Sequence, residues 1–154
     1  MISSSWIIWC LLASSGLGES LVGKSVGFLG LGRIGLAIAK RLKPFGIGKV
    51  YYTNRTCNPE AEREVDREKK RIKRTSFPTP RVKVGAERLE LQDLAAESDI
   101  VVVTASLSES TRHIVNREFL ARMRSSSYLV NVARGGLVDQ EALLASLQSG
   151  GNNK

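Results

Sequence analysis

The sequence predicts an α/β domain with a doubly wound parallel sheet. Three observations carry this expectation. Short apolar, β-branched runs alternate with helical stretches from Lys24 to Gln148. The strongest strand candidate, Asp99–Thr104 (DIVVVT), lacks polar alternation, as a central parallel strand buried on both faces requires. A glycine-rich turn joins the first strand directly to the first helix. The 154 residues, 42% hydrophobic and 25% charged, suit one soluble domain with a core that needs no disulfides.

The elements follow in order. Ser25–Leu29 (SVGFL) reads as a buried strand ending in glycines. Ile34, Ala37, Ile38 and Leu42 recur at helical spacing, so Arg33–Lys43 is expected to form an amphipathic helix, ended by Pro44 and Gly46. Lys49–Thr53 (KVYYT) is a second strand. Pro59–Arg74 is highly charged and expected to be helical in part, and the prolines of Thr75–Pro80 break any helix there. Glu87–Leu89 is a short third strand, Leu91–Glu97 a helix and Asp99–Thr104 the fourth strand. Asn116 is placed to cap a helix over Arg117–Met123. Tyr128–Val132 is the fifth strand, and Asp139 caps a helix over Gln140–Gln148, ended by Gly150 and Gly151. A six-stranded sheet of this kind needs a further strand, so the chain reads as incomplete.

The glycine turn is Gly30-Leu-Gly32-Arg-Ile-Gly35, a GxGxxG motif. Alone the motif is weak; between a strand and a helix it is the fingerprint of a dinucleotide-binding Rossmann domain. Gly30 permits the tight turn, Gly32 lets a pyrophosphate approach the backbone, and Gly35 lets helix and strand pack closely. The helix N-terminus offers free N–H groups and a positive partial charge. An NAD-binding site of this type places an Asp or Glu at the end of the second strand to hold the ribose 2′-hydroxyl. From Gly48 to Pro59 there is no acid; the strand runs into Thr53-Asn54-Arg55-Thr56. An arginine there pairs with the 2′-phosphate of NADP, and the missing carboxylate removes a repulsion. The competing reading of Arg55 is a solvated loop arginine.

Several stretches resemble the coenzyme domain of the D-2-hydroxyacid dehydrogenase family. They are Leu21–Gly27 (LVGKSVG), Gly30–Gly35, Thr111–Asn116 (TRHIVN) and Asn131–Asp139 (NVARGGLVD). Lys40–Phe45 (KRLKPF) and Tyr52–Arg55 (YTNR) most resemble the glyoxylate/hydroxypyruvate reductase branch. The resemblance implies hydride transfer to a small 2-oxo acid, with NADP(H) preferred and NAD(H) as the alternative cofactor. It also implies site roles. Gly32, Arg33 and Ile34 match pyrophosphate contacts, and Arg55 and Thr56 match the 2′-phosphate region. Ser106 and Val132 line the cofactor cleft. Arg134 matches the arginine that binds the substrate, where one guanidinium can hold a carboxylate and its neighbouring carbonyl in one plane. The family's catalytic histidine and glutamate have no counterpart in the sequence; His113 matches a non-catalytic, structural position. The substrate domain also has no counterpart. The full-length protein is expected to be a cytoplasmic homodimer, with the present chain inactive alone.

Charge and termini complete the expectations. Of the net charge of +8, +6 falls in Asp66–Val84, read as a basic insertion and solvated surface loop. The sharper reading of Lys69–Arg74 (KKRIKR) is a nuclear-localisation or nucleic-acid patch. No aromatics interleave it, so no nucleic-acid partner is expected. Residues 1–20 read as a segment crossing ahead of the domain that starts at Leu21. Within them Trp6–Ala13 (WIIWCLLA) resembles a signal core but lacks a preceding Lys or Arg and is too short to span a bilayer. Cys10 and Cys57 fit neither a disulfide framework nor a metal site. The functional alternative is a non-catalytic, dinucleotide-binding regulator.

Overall fold

The computed structural model describes residues 19–55 and 84–149. The expectations for the N-terminal crossing segment up to residue 18, for Thr56, for Cys10 and Cys57, and for residues 66–83 of the basic insertion lie outside the described residues. Val84, assigned to the end of that insertion, is buried in the core and belongs to the domain.

Five parallel strands form one sheet in the order β3-β2-β1-β4-β5. They are β1 (Val26–Leu29), β2 (Val50–Thr53), β3 (Ala86–Arg88), β4 (Ile100–Val103) and β5 (Tyr128–Asn131). Helices α1 (Arg33–Leu42), α2 (Leu91–Glu97), α3 (Arg117–Arg122) and α4 (Gln140–Gln148) connect and cover them. The register is continuous across the centre, where Leu29 of β1 lies beside Thr53 of β2 and Val103 of β4. The order reverses between β1 and β4, which makes that point the switch where such sheets bind ligands.

The pleat divides the core into two faces. Val26, Phe28, Val50, Tyr52 and Val102 face α1, whose Leu36 and Ala39 cover them. Leu29, Tyr51, Val101 and Val103 face α2, α3 and α4, packed by Leu94, Phe119 and Ala142. Coverage is therefore unequal among the described residues. Tyr128 and Val130 of β5 lie on the α1 face by their register with Ile100 and Val102, and both are exposed.

Element boundaries differ from expectation by a residue or so at strand ends. The first helix passes through a 3-10 turn, Lys43–Phe45, before Gly46 closes it with φ 75°. Ile34 departs more clearly. Helical periodicity placed it on the buried face, yet it is 63% exposed. It stands in the first turn of α1, on the side away from the face that the helix buries, which is made by Gly35, Leu36, Ala39 and Lys40. The two expected side-chain caps form. Asn116 Oδ1 accepts from Phe119 N–H at 2.9 Å, and Asp139 Oδ1 accepts from Ala142 N–H at 3.1 Å.

Candidate dinucleotide site

The glycine loop leaves β1 at its C-terminal end, and the three glycines meet three different surroundings. Gly30 has φ +92°, and a Cβ there would lie 2.6 Å from Ala105 Cα, so only glycine fits. A Cβ on Gly35 would lie 2.9 Å from Thr104 Oγ1 and 3.1 Å from Gly30 O; this is the close approach of helix to strand. A Cβ on Gly32 would meet nothing within 4 Å. That opening faces the start of α1. Gly32 is the N-cap and has no side chain to satisfy the first-turn amides, and the first turn holds no acid. By contrast α2, α3 and α4 carry Asp93, Glu118 and Glu141 in their first turns. An open, uncapped helix start with Arg33 exposed beside it fits a pyrophosphate.

The loop is held from both sides. Leu31 N–H donates to Asn54 Oδ1 at 2.7 Å, across from the end of β2. Gly30 O accepts from Thr104 Oγ1 at 2.5 Å, across from the end of β4. Asn54, counted among the cofactor-binding residues from sequence, thus has its carbonyl oxygen directed to the loop backbone. Arg55 follows it at the exposed rim. Arg88 of β3 reaches the same corner, with Nη2 donating to Asn54 O at 3.1 Å.

Ser106 and Val132 lie beyond the ends of β4 and β5. Ser106 is exposed, and its carbonyl accepts from Thr111 Oγ1 at 2.7 Å. Val132 sits just past the strand it was expected to end; its N–H still donates to Val103 O at 3.2 Å, and its side chain is half exposed. Arg134 is exposed on the next turn. Asn131 shapes that turn, with Oδ1 accepting from Ala133 N–H and Nδ2 donating to Arg134 O, both at 3.0 Å. The Arg134 turn also nears the β4 loop, since a Cβ on Gly136 would lie 3.3 Å from Leu107. The structure therefore gathers Gly30, Gly32, Arg33, Ile34, Gly35, Asn54, Arg55, Ser106, Val132 and Arg134 at the C-terminal ends of the strands.

His113 carries a left-handed φ of 51° and donates its N–H to Gly136 O at 2.9 Å. Its ring is exposed and makes no hydrogen bond or ion pair among the described residues. Sequence reading missed Thr104 and Asn131 as organising residues. Both lay inside stretches already singled out, as the last residue of DIVVVT and the first of NVARGGLVD. Among the described residues no group of three or more His, Cys, Asp or Glu side chains could hold a metal, and no helix is long and apolar enough to cross a membrane.

Known proteins share this fold. Residues 5–153 match the family model described as D-isomer specific 2-hydroxyacid dehydrogenase, NAD binding domain. The chain is 40% identical over 134 residues to a glyoxylate reductase of Thermococcus onnurineus, covering 87% of this chain and 34% of that protein. It is 36% identical over 148 residues to the human glyoxylate reductase/hydroxypyruvate reductase, covering 96% of this chain and 39% of the relative. A D-isomer specific 2-hydroxyacid dehydrogenase from Lactobacillus delbrueckii, solved with NAD, superposes with a TM-score of 0.69 at 28% identity, covering 89% of this chain and 35% of that one. The chain thus spans a little over a third of the length of such relatives. With its 3-2-1-4-5 sheet and glycine loop, it belongs to the D-isomer specific 2-hydroxyacid dehydrogenase family and represents that family's NAD-binding domain.

Proposed function

We propose that the chain is the coenzyme domain of an NADPH-dependent 2-oxo-acid reductase of the glyoxylate/hydroxypyruvate type. The observation that carries the cofactor preference is the corner at the end of β2. Arg55 stands exposed there, no acid lies between Gly48 and Pro59, and Arg88 adds a second guanidinium beside Asn54. A 2′-phosphate is attracted to such a corner, whereas a bare ribose hydroxyl finds no carboxylate between Gly48 and Pro59 to accept its hydrogen bond.

In this reading Gly30, Gly32 and Gly35 with the α1 amides hold the pyrophosphate, beside Arg33 and Ile34. Arg55 and Thr56 form the 2′ end, with Asn54 beside them holding the glycine loop, and Ser106 and Val132 line the cleft toward the nicotinamide. When bound, the dinucleotide supplies the hydride that converts a 2-oxo acid to a 2-hydroxy acid. Arg134 holds the substrate's carboxylate and carbonyl in one plane. The alkoxide that results needs a proton, and His113, exposed and without a carboxylate partner among the described residues, is not placed to act as that donor. The same observation favours the second reading, a dinucleotide-binding regulator. A cytoplasmic location, a homodimeric full-length enzyme and a small 2-oxo acid partner accompany the first.

Calorimetric titration of the chain with NADPH and NADH tests the preference. A charge-assisted pair contributes about 1.5–3 kcal/mol, so NADPH is expected to bind at least about tenfold tighter. Arg55→Ala is expected to remove that advantage and leave NADH unchanged. Equal affinities in the unaltered chain contradict the assignment. Turnover of glyoxylate or hydroxypyruvate at an ordinary rate, on the order of 10 s⁻¹, would overturn the expectation that this chain alone is inactive.

A further inference from the structure

We propose that Asn54 and Thr104 are positioning residues that clamp one peptide unit, Gly30–Leu31, and so fix the glycine loop before a dinucleotide arrives. The inference rests on the dinucleotide reading of the loop and goes beyond it in what it assigns to Asn54. The two hydrogen bonds described above end on the same peptide plane. Its carbonyl accepts from the Thr104 hydroxyl at 2.5 Å, and its N–H donates to the Asn54 carbonyl at 2.7 Å. The first bond comes from the strand on one side of β1 and the second from the strand on the other side. Gly32 N–H also donates to Gly30 O at 3.0 Å, which folds the turn tightly over the clamped carbonyl.

A peptide plane fixed at both its N–H and its C=O cannot rotate without breaking both bonds. That matters here because Gly30 sits at φ +92° and is followed, after Leu31, by Gly32, where no side chain restricts the backbone and an added Cβ would meet open space. Glycine-rich turns have wide conformational freedom, and ordering them on ligand binding costs free energy. The clamp restricts that freedom in advance. It also spends the Leu31 N–H on Asn54. The amides left for an anion are therefore those at the start of α1.

The clamp separates two roles at the end of β2. Arg55 distinguishes cofactors by the 2′-phosphate. Asn54 acts on the loop, which meets the pyrophosphate common to both cofactors. Loss of the Asn54 amide therefore weakens NADPH and NADH by the same factor, whereas loss of Arg55 weakens NADPH alone.

The experiment uses the full 154-residue chain, isotopically labelled. It follows amide exchange at Leu31 without ligand and then titrates NADPH and NADH separately. One hydrogen bond of this kind is worth about 0.5–1.5 kcal/mol, or roughly two- to tenfold. Asn54→Ala and Thr104→Val are each expected to speed Leu31 exchange by about that factor and to lower both affinities alike. The conservative variants should rescue. Thr104→Ser keeps the donor and restores both affinities. Asn54→Asp keeps the acceptor and the Leu31 protection, and its charge weakens NADPH alone. Unchanged Leu31 exchange in Asn54→Ala, or a loss confined to NADPH in that variant, overturns the proposal. Should Asn54→Ala fail to fold, Thr104→Val against Thr104→Ser makes the same comparison. If the unaltered chain binds neither dinucleotide, the functional reading falls while Leu31 exchange still decides the clamp.

Discussion

The two ends of the sheet use polar groups in opposite ways. At the N-terminal end several pair with one another, although the buried Ser98 Oγ has no hydrogen-bond partner among the described residues. Ser25 N–H donates to Asp99 Oδ2 at 2.8 Å, and Ser25 Oγ lies 2.8 Å from the same oxygen. Arg124 Nη1 reaches Asp99 Oδ1 at 3.1 Å, and Ser127 Oγ donates to Ser98 O at 3.2 Å. This network ties the starts of β1, β4 and β5 together. At the C-terminal end the backbone is held by Asn54, Thr104 and Asn131, yet Arg33, Arg55, Ser106 and Arg134 are exposed, with Arg134 Nη1 donating to Ala133 O at 3.1 Å. One end closes on itself and supports the fold. The other holds its loops by side-chain hydrogen bonds beneath exposed residues, where the proposed dinucleotide site lies.

Substitutions at the two ends should therefore separate stability from binding. The largest effect is expected from Gly30→Ala, which forces a side chain into left-handed φ and onto Ala105. Left-handed backbone costs about 1–2 kcal/mol and overpacking about 1–3, so a loss of roughly 2–5 kcal/mol should appear in urea unfolding, together with loss of dinucleotide binding. Gly32→Ala sharpens the comparison. It enters open space, so its unfolding midpoint should barely move while cofactor affinity falls.

Asp99→Asn tests the closed end. It weakens the charge-assisted bonds from Ser25 and Arg124, at a cost of about 1–3 kcal/mol, without altering NADPH affinity. The same residue predicts a pH dependence. Its carboxyl is held below the usual aspartate range, first by the Ser25 backbone N–H, with help from the Ser25 hydroxyl and Arg124 and against partial burial. A depressed carboxylate pKa means the folded state binds the proton less readily than the unfolded state. The stability it supplies is complete above the unfolded value and fades as pH falls below about 4 toward the folded value. Acid unfolding followed by circular dichroism should show this limb in the unaltered chain and a shallower one in Asp99→Asn.

The smallest effect belongs to neither end. Asn116→Ala removes the cap of α3 and should cost about 1 kcal/mol in thermal unfolding, with cofactor binding unchanged. A change in NADPH affinity there would mean the two ends are not separable as described.

How far the sequence foretold this depends on the range of the interaction. The strands were legible because β-branched runs such as IVVV stand out locally, and caps such as Asn116 and Asp139 act within three residues. The glycine loop was legible because each glycine answers a local constraint. Ile34 misled because its apolar side chain at helical spacing suggested one buried face, whereas α1 turns Gly35, Leu36, Ala39 and Lys40 inward. The clamp was not legible. Thr104 reaches Gly30 across 74 residues and Asn54 reaches Leu31 across 23, and only the 3-2-1-4-5 strand order brings them together. Asn54 drew notice for replacing an acid, while its bond to the loop leaves no mark in sequence spacing.

The most direct test of the division between the two ends is to map NADPH-induced amide shifts over the whole chain. Shifts are expected at Gly30–Gly35, Asn54 and Arg55, Thr104–Ser106 and Val132, with those around Ser25, Asp99 and Arg124 unmoved. Absence of shifts at saturating NADPH, or shifts centred on the Ser25–Asp99 network, would contradict the placement of the dinucleotide at the C-terminal ends of the strands.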